Sequence, residues 1–227
     1  VKEDFETAGT PQGEATLEGA EYQLVDDVTQ EVVGTLTTDA QGNSNVISDL
    51  PTDRTYTIVE IKAPNGYKLS AEKAQVDFSS LQAVNNIKFY TGAMRDHVIT
   101  GSFEIRKVIT DGQESEITKP EQGAEFIAVL KKYVDQYGSV ESAYEHHEEF
   151  ADREYDHLIT DEDGHARSKD LAFGTYIVKQ IKGQIDTDKL EAEWTFVVSE
   201  EDQDPITYVI NNRPFTSYLK VVKLDKE

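Results

Sequence analysis

The sequence predicts an all-β protein: two tandem β-sandwich domains, the second carrying an inserted short α-helix. Two observations lead there. Short runs of alternating polarity bounded by turn residues recur along the chain, as in "EVVGTLTT" (31–38) and "EWTFVVS" (193–199), the signature of many short strands rather than of helices. A set of landmarks also occurs twice in the same order, the mark of a duplicated unit. "GAEY" (19–22) returns as "GAEF" (123–126). "TDAQG" (38–42) returns as "TDEDG" (160–164), each followed by an Asp-Leu pair, and "TYTIVEIKAPNG" (55–66) returns as "TYIVKQIKG" (175–183).

Taken in order, the chain opens on "KEDFETAG" (2–9), the end of a first strand with only Val1 ahead of Lys2; so short a strand is expected to fray. The Asp-x-x-Gly stretches at 39–42 and 161–164 read as hairpin turns. "TYTIVEIKAPNGYKL" (55–69) reads as a strand closed by Pro64-Asn65-Gly66. Side chains alternate between the faces of a strand, so Glu60 shares a face with Tyr56 and Ile58. If that face is internal, a carboxyl group is buried; otherwise Glu60 is an exposed residue paired with Lys62 or Lys73. "GSFEIRKV" (101–108) is the opening strand of the second unit, and "SYLKVVKLDKE" (217–227) resembles it. The expected division is 1–98 for the first domain, its opening strand truncated, 99–215 for the second, and 216–227 as the start of a third repeat. Gly19 and Asp39 are 20 positions apart, Gly123 and Asp161 are 38 apart. The extra residues form an insert around 135–157, in which Ser139 to Phe150 favours an acidic surface helix with Ser139 as its N-cap.

Composition narrows the function. Acidic residues number 44 against 22 basic, a net charge of −22, which repels nucleic acid and anionic membranes. No apolar run is long enough to span a bilayer and no signal peptide is recognisable, so the chain reads as cytosolic or as an excised fragment of something longer. The absence of cysteine removes disulfides, Cys-zinc sites and thiol catalysis. "EHHEEF" (145–150) lacks the second histidine of a zinc-protease helix. His146, His147, His157 and His165 leave room for a weak metal site at most, and no metal or cofactor is expected.

The ordered set "KEDFETAG", "EGAEY", "TTDAQG", "TYTIVEIKAPNGYKL" and "VITGSFEIRKV", followed by "QGAEF", "TDEDG", "GTYIVKQ" and "VINNRP", resembles the collagen-adhesin B-type (CnaB, SpaA-like) domains of Gram-positive surface proteins and pilins. The resemblance covers nearly the whole chain and implies Ig-like, prealbumin-like sandwiches. It implies an intramolecular isopeptide bond between a Lys of the first strand and an Asn or Asp of the last, promoted by a Glu of a central strand. Carried onto this chain, it assigns Lys2, Asp96 and the promoting Glu60 to the first unit, and Lys107 and Asn212 to the second. There Gln180 occupies the place of Glu60. Glutamine orients a carbonyl but cannot shuttle a proton, so either another acid serves, with Glu104, Glu125 and Glu193 as candidates, or the second unit is unbonded. Without the resemblance, Asn211-Asn212 reads as part of a turn.

The function so implied is a stalk or spacer in a cell-wall-anchored extracellular adhesin or pilin, its partners the neighbouring repeats of the same surface protein. The alternative is an adhesive module that takes a host or matrix ligand on the acidic insert. No nucleic acid, membrane insertion or turnover enzyme is expected beyond single-turnover self-bonding.

Overall fold

The structure is a computed structural model that describes residues 1–110, 118–183, 193–201 and 203–212. In the first domain, β2 (Glu21–Asp26), β3 (Val32–Thr37), β4 (Thr55–Lys62) and β5 (Lys73–Asp77) form an antiparallel sheet in the order β3-β2-β4-β5. Against it stands a parallel pair, β1 (Lys2–Asp4) with β6 (Met94–Asp96). Alternation places Tyr22 and Leu24 of β2, Tyr56 and Ile58 of β4, and Val76 of β5 in one core.

The linker residues Thr100–Gly101 (β7) lead into the second domain, which repeats the plan with longer first and last strands. Here β8 (Phe103–Thr110) pairs with β9 (Thr118–Pro120), and β10 (Glu125–Leu130) joins β11 (Tyr155–Ile159). β12 (His165–Arg167) pairs with β8, and β13 (Leu171–Ala172) with β7. β14 (Gly174–Lys182), β15 (Trp194–Val198) and β16 (Ile206–Asn212) complete the domain. One sheet runs β11-β10-β14-β15 and the other β12-β8-β16, with β16 parallel to β8. Phe103, Ile105, Phe126, Tyr176, Val178 and Phe196 fill the space between them.

The insert departs from expectation in its limits. It begins with a helix at once after β10, α1 (Lys131–Tyr137), which ends at Gly138 with φ +86°, a left-handed stop that glycine adopts without strain. Ser139 then caps α2 (Val140–Tyr144) through a hydrogen bond accepted from the Ser142 N–H. The predicted helix to Phe150 thus stops at Tyr144, followed by a 3₁₀ turn at His147–Glu149, and β11 has begun by Tyr155. The reason lies in β10. Where β2 alternates, "FIAVL" (126–130) is apolar on both faces because Val140 and Ala143 of α2 cover Ile127 and Val129. The insert is a packed lid on the outer face of the sheet.

The opening strand is short, as expected, but Lys2 is fully buried. Its N–H donates to the Gly42 carbonyl at 2.7 Å, and the Phe5 N–H to the Asp96 carbonyl at 2.9 Å. Residues 216–227, the expected third repeat, lie outside the described residues.

Candidate functional site: a buried lysine cluster in each domain

In the first domain the parallel register sets Lys2 opposite Met94 and Asp4 opposite Asp96, so Lys2 and Asp96 sit diagonally on neighbouring strands. β4 contributes Glu60 from the face that also carries Tyr56 and Ile58. Its pairing with β2 brings Tyr22 alongside. All three charged groups are buried. Lys2 Nζ donates to Glu60 Oε1 at 3.0 Å and is in direct contact with Asp96 Oδ2. Glu60 Oε2 accepts the Ser70 N–H at 2.9 Å, which fixes the carboxyl group in place. Lys62, a surface partner considered for Glu60, instead pairs with Glu21 at 2.9 Å.

The electrostatics follow from burial. Desolvation disfavours a charged carboxylate, and it holds Asp96 up at about 7 although the ammonium of Lys2 pulls the other way; Glu60 adds to the rise. Burial, with the charge of Glu60, also keeps the Tyr22 phenol well above its ordinary value. One ammonium thus faces two carboxyl groups, and one of these takes up a proton near neutrality. An amine, a protonated acid and a second carboxyl group in contact, shielded from water, are the components of an amide condensation.

The second domain repeats the scaffold. Lys107 lies opposite Ile210 and Asn212 opposite Ile109, the same diagonal as Lys2 and Asp96. Lys107 N–H donates to the Gly164 carbonyl at 2.7 Å, as Lys2 N–H does to that of Gly42. Both Lys107 and Asn212 are buried, and neither Nδ2 nor Oδ1 of Asn212 has a hydrogen-bond partner among the described residues. Burial lowers the Lys107 pKa against the opposing pull of Glu121. Gln180 is buried on the inner face of β14 as Glu60 is on β4, but its Nε2 turns back to donate to the Lys182 carbonyl at 3.1 Å.

The acid beside Lys107 is one the sequence reading missed. Glu121 Oε2 lies 2.5 Å from Lys107 Nζ with both side chains buried. The three acids considered from sequence are elsewhere. Glu104 faces His165 and Arg167, Glu125 pairs with Lys182 and His157, and Glu193 with Lys179. Glu121 had a signal in the repeat. Two residues before the Gly of "GAEF", it stands where Leu17 stands before "GAEY", an apolar position taken by an acid. Among the described residues no cluster of His, Cys, Asp or Glu could hold a metal ion, and no helix is long and apolar enough to cross a membrane.

Comparison with solved structures finds the same architecture. The Bacillus anthracis TIE protein matches at a TM-score of 0.57 and 19% identity over 94% of this chain, which spans 33% of that protein's length. A C-terminal fragment of the pilus adhesin SpaC from Lactobacillus rhamnosus GG matches at 0.50 and 14% identity, over 96% of this chain and 97% of the fragment. A longer SpaC structure matches at 0.51 and 14%, over 95% of this chain and 31% of that one. At these identities the likeness is one of fold. Comparison with curated proteins gives no match. The family model for the SpaA prealbumin-like fold domain matches twice, over residues 10–91 and 101–214, and the chain belongs to that family.

Proposed function

We propose that this chain is a load-bearing part of a Gram-positive surface protein, a pilin or wall-anchored adhesin, in which each domain joins its first and last strands through an amide bond formed without outside help. The observation that carries this reading is the buried contact of Lys2 with Asp96 and Glu60. Glu60 takes one proton from the Lys2 ammonium, with which it is paired, and the neutral Nζ attacks Cγ of protonated Asp96. The Nζ–Cγ bond forms, a Cγ–O bond breaks, and Glu60 passes the amine proton to the departing oxygen, which leaves as water. Lys107 and Asn212 react in the same sense and release ammonia. Each product replaces buried, desolvated groups with a neutral amide, which favours the bonded state.

The mechanical consequence follows from topology. The first and last strands of each domain are parallel neighbours, so tension along the chain shears their hydrogen bonds unless a covalent link takes the load. Closing a loop of about a hundred residues contributes about 4–5 kcal/mol in the chain-entropy picture. The partners in this role are adjoining domains of the same surface protein.

Intact mass under denaturing conditions tests the reading. The expected mass lies below that of the sequence by one water and one ammonia, and Glu60→Ala regains the water. A wild-type mass equal to that of the sequence overturns it.

A further inference from the structure

The two clusters differ by a reciprocal exchange at two buried positions. In the first domain the acid is on the central strand, Glu60, and the position before the Gly-Ala turn is Leu17. In the second the central strand carries Gln180, and the position before the turn carries Glu121. The backbone shows these positions to be equivalent. The Thr38 hydroxyl donates to the Leu17 carbonyl at 2.6 Å, and the Thr160 hydroxyl to the Glu121 carbonyl at the same distance. Gly42 packs on the Lys2 carbonyl and the Leu17 side chain, and Gly164 on the Lys107 carbonyl and the Glu121 nitrogen. The Glu121 N–H also donates to the Lys107 carbonyl at 3.0 Å, tying the acid to the backbone of the lysine it faces.

We propose that Glu121 is the catalytic acid–base of the second domain, reaching Lys107 from the connection after β9 where Glu60 reaches Lys2 from a central strand, and that Gln180 has no proton-transfer role. This rests on the reading above that Lys107 and Asn212 become joined. From the ion pair, Glu121 Oε2 takes one proton from Lys107 Nζ to leave a neutral amine. Nζ attacks Asn212 Cγ, and the Nζ–Cγ bond forms. Glu121 gives its proton to Nδ2 and takes the second Nζ proton, the Cγ–Nδ2 bond breaks, and ammonia leaves. The carboxyl group ends protonated, the amide is neutral, and every atom is accounted for. A full carboxyl group is used because the reaction needs both a base and an acid in turn, which the Gln180 amide cannot supply.

The test compares the full chain, Glu121→Gln, and the double variant E121L/Q180E, which gives the second domain the arrangement of the first. Each is read by denatured intact mass after timed incubation, with circular dichroism as the check on folding. The wild type is expected to lack one ammonia. A folded E121Q is expected to keep it, with bond formation slowed by about 10²–10⁴-fold, and E121L/Q180E is expected to lose it again. Complete ammonia loss in E121Q overturns the role of Glu121 while leaving the bond itself standing. A wild type that keeps its ammonia overturns the bond in this domain and the proposal with it. If E121Q does not fold, the double variant decides: ammonia loss upholds the exchange, and a folded protein that keeps its ammonia rejects it.

Discussion

Lys2 and Lys107 are long cationic side chains placed where a core leucine would ordinarily go, and both are fully buried. An unpaired charge at such a depth is strongly unfavourable, so each is matched by an acid, two in the first domain and Glu121 in the second. The asymmetry has a consequence for pH. In Lys2→Ala the one group that lowers the Asp96 pKa is gone, while burial and Glu60 still raise it, so it moves above its present value of about 7. A carboxyl raised in the folded state favours folding when protonated. Its contribution is full below the ordinary carboxylate value of 3.8 and is lost as pH rises through the raised one. Urea denaturation of Lys2→Ala should therefore show the first domain weakening from about pH 4 up through pH 7, and K2A/D96N should remove that slope. A profile that is flat or rises with pH in Lys2→Ala would contradict the burial argument. Alternation set Glu60 on the face of Tyr56 and Ile58 but left open whether that face was internal; its role, like those of Lys2, Asp96, Lys107 and Asn212, was legible through the resemblance. Glu121 carried only the repeat's mismatch with Leu17 as a signal, because the residue lies in a connection, where no strand periodicity says which way a side chain points.

Among the elements, the insert is the one whose role changed most between sequence and structure. Its acidic residues suggested a free surface helix, but Val140 and Ala143 pack against Ile127 and Val129 on the outer face of β10. Strands with both faces covered read as continuous apolar runs, which is how "FIAVL" differs from the alternating "EYQLVD" of β2. Truncating Val140 to Ala should destabilise the second domain by about 2 kcal/mol, for two buried carbons and the space they leave, as measured by chemical denaturation. A change within about 0.5 kcal/mol, typical of surface positions, would mean that α2 does not hold the sheet. The first strand, short as expected, is the other departure, because it was expected to fray and is instead held by a buried side chain. Three residues make a weak ladder by themselves, yet the Lys2 side chain anchors β1 from within, so burial supplies what strand length does not.

For the whole molecule, the insert also joins the two domains. Glu154, buried at its end, accepts the Gly13 N–H at 2.8 Å, the Tyr133 hydroxyl at 2.5 Å and Lys132 Nζ at 2.9 Å, while Lys132 donates to the Gly13 carbonyl at 3.0 Å. The Glu14 N–H donates to the Phe173 carbonyl at 2.8 Å, and Ala15, Leu17, Tyr67 and Val98 of the first domain pack with Ala172 of the second. Gly13, at φ +64°, comes so close that a Cβ would lie 2.1 Å from the Phe173 carbonyl oxygen. Removing Glu154 leaves Gly13, Lys132 and Tyr133 without their shared acceptor. Glu154→Ala should therefore broaden the spread of interdomain distances, measured between spin labels at cysteines introduced at Val28 and Glu148 in this cysteine-free chain. An equally narrow distribution in both proteins would show that the joint is held by the apolar contacts alone.

The duplicated landmarks and the alternating strands were enough to specify two sandwiches, because strand period and turn chemistry are local properties that survive in the order of residues. Each lysine and its acceptor were placed on first and last strands only by what the family resemblance implies. Which acid meets Lys107, and that the insert covers a sheet and braces a joint, depended on segments far apart in the chain coming together in space. Side chains on connections meet partners chosen by packing, and no local period records that choice.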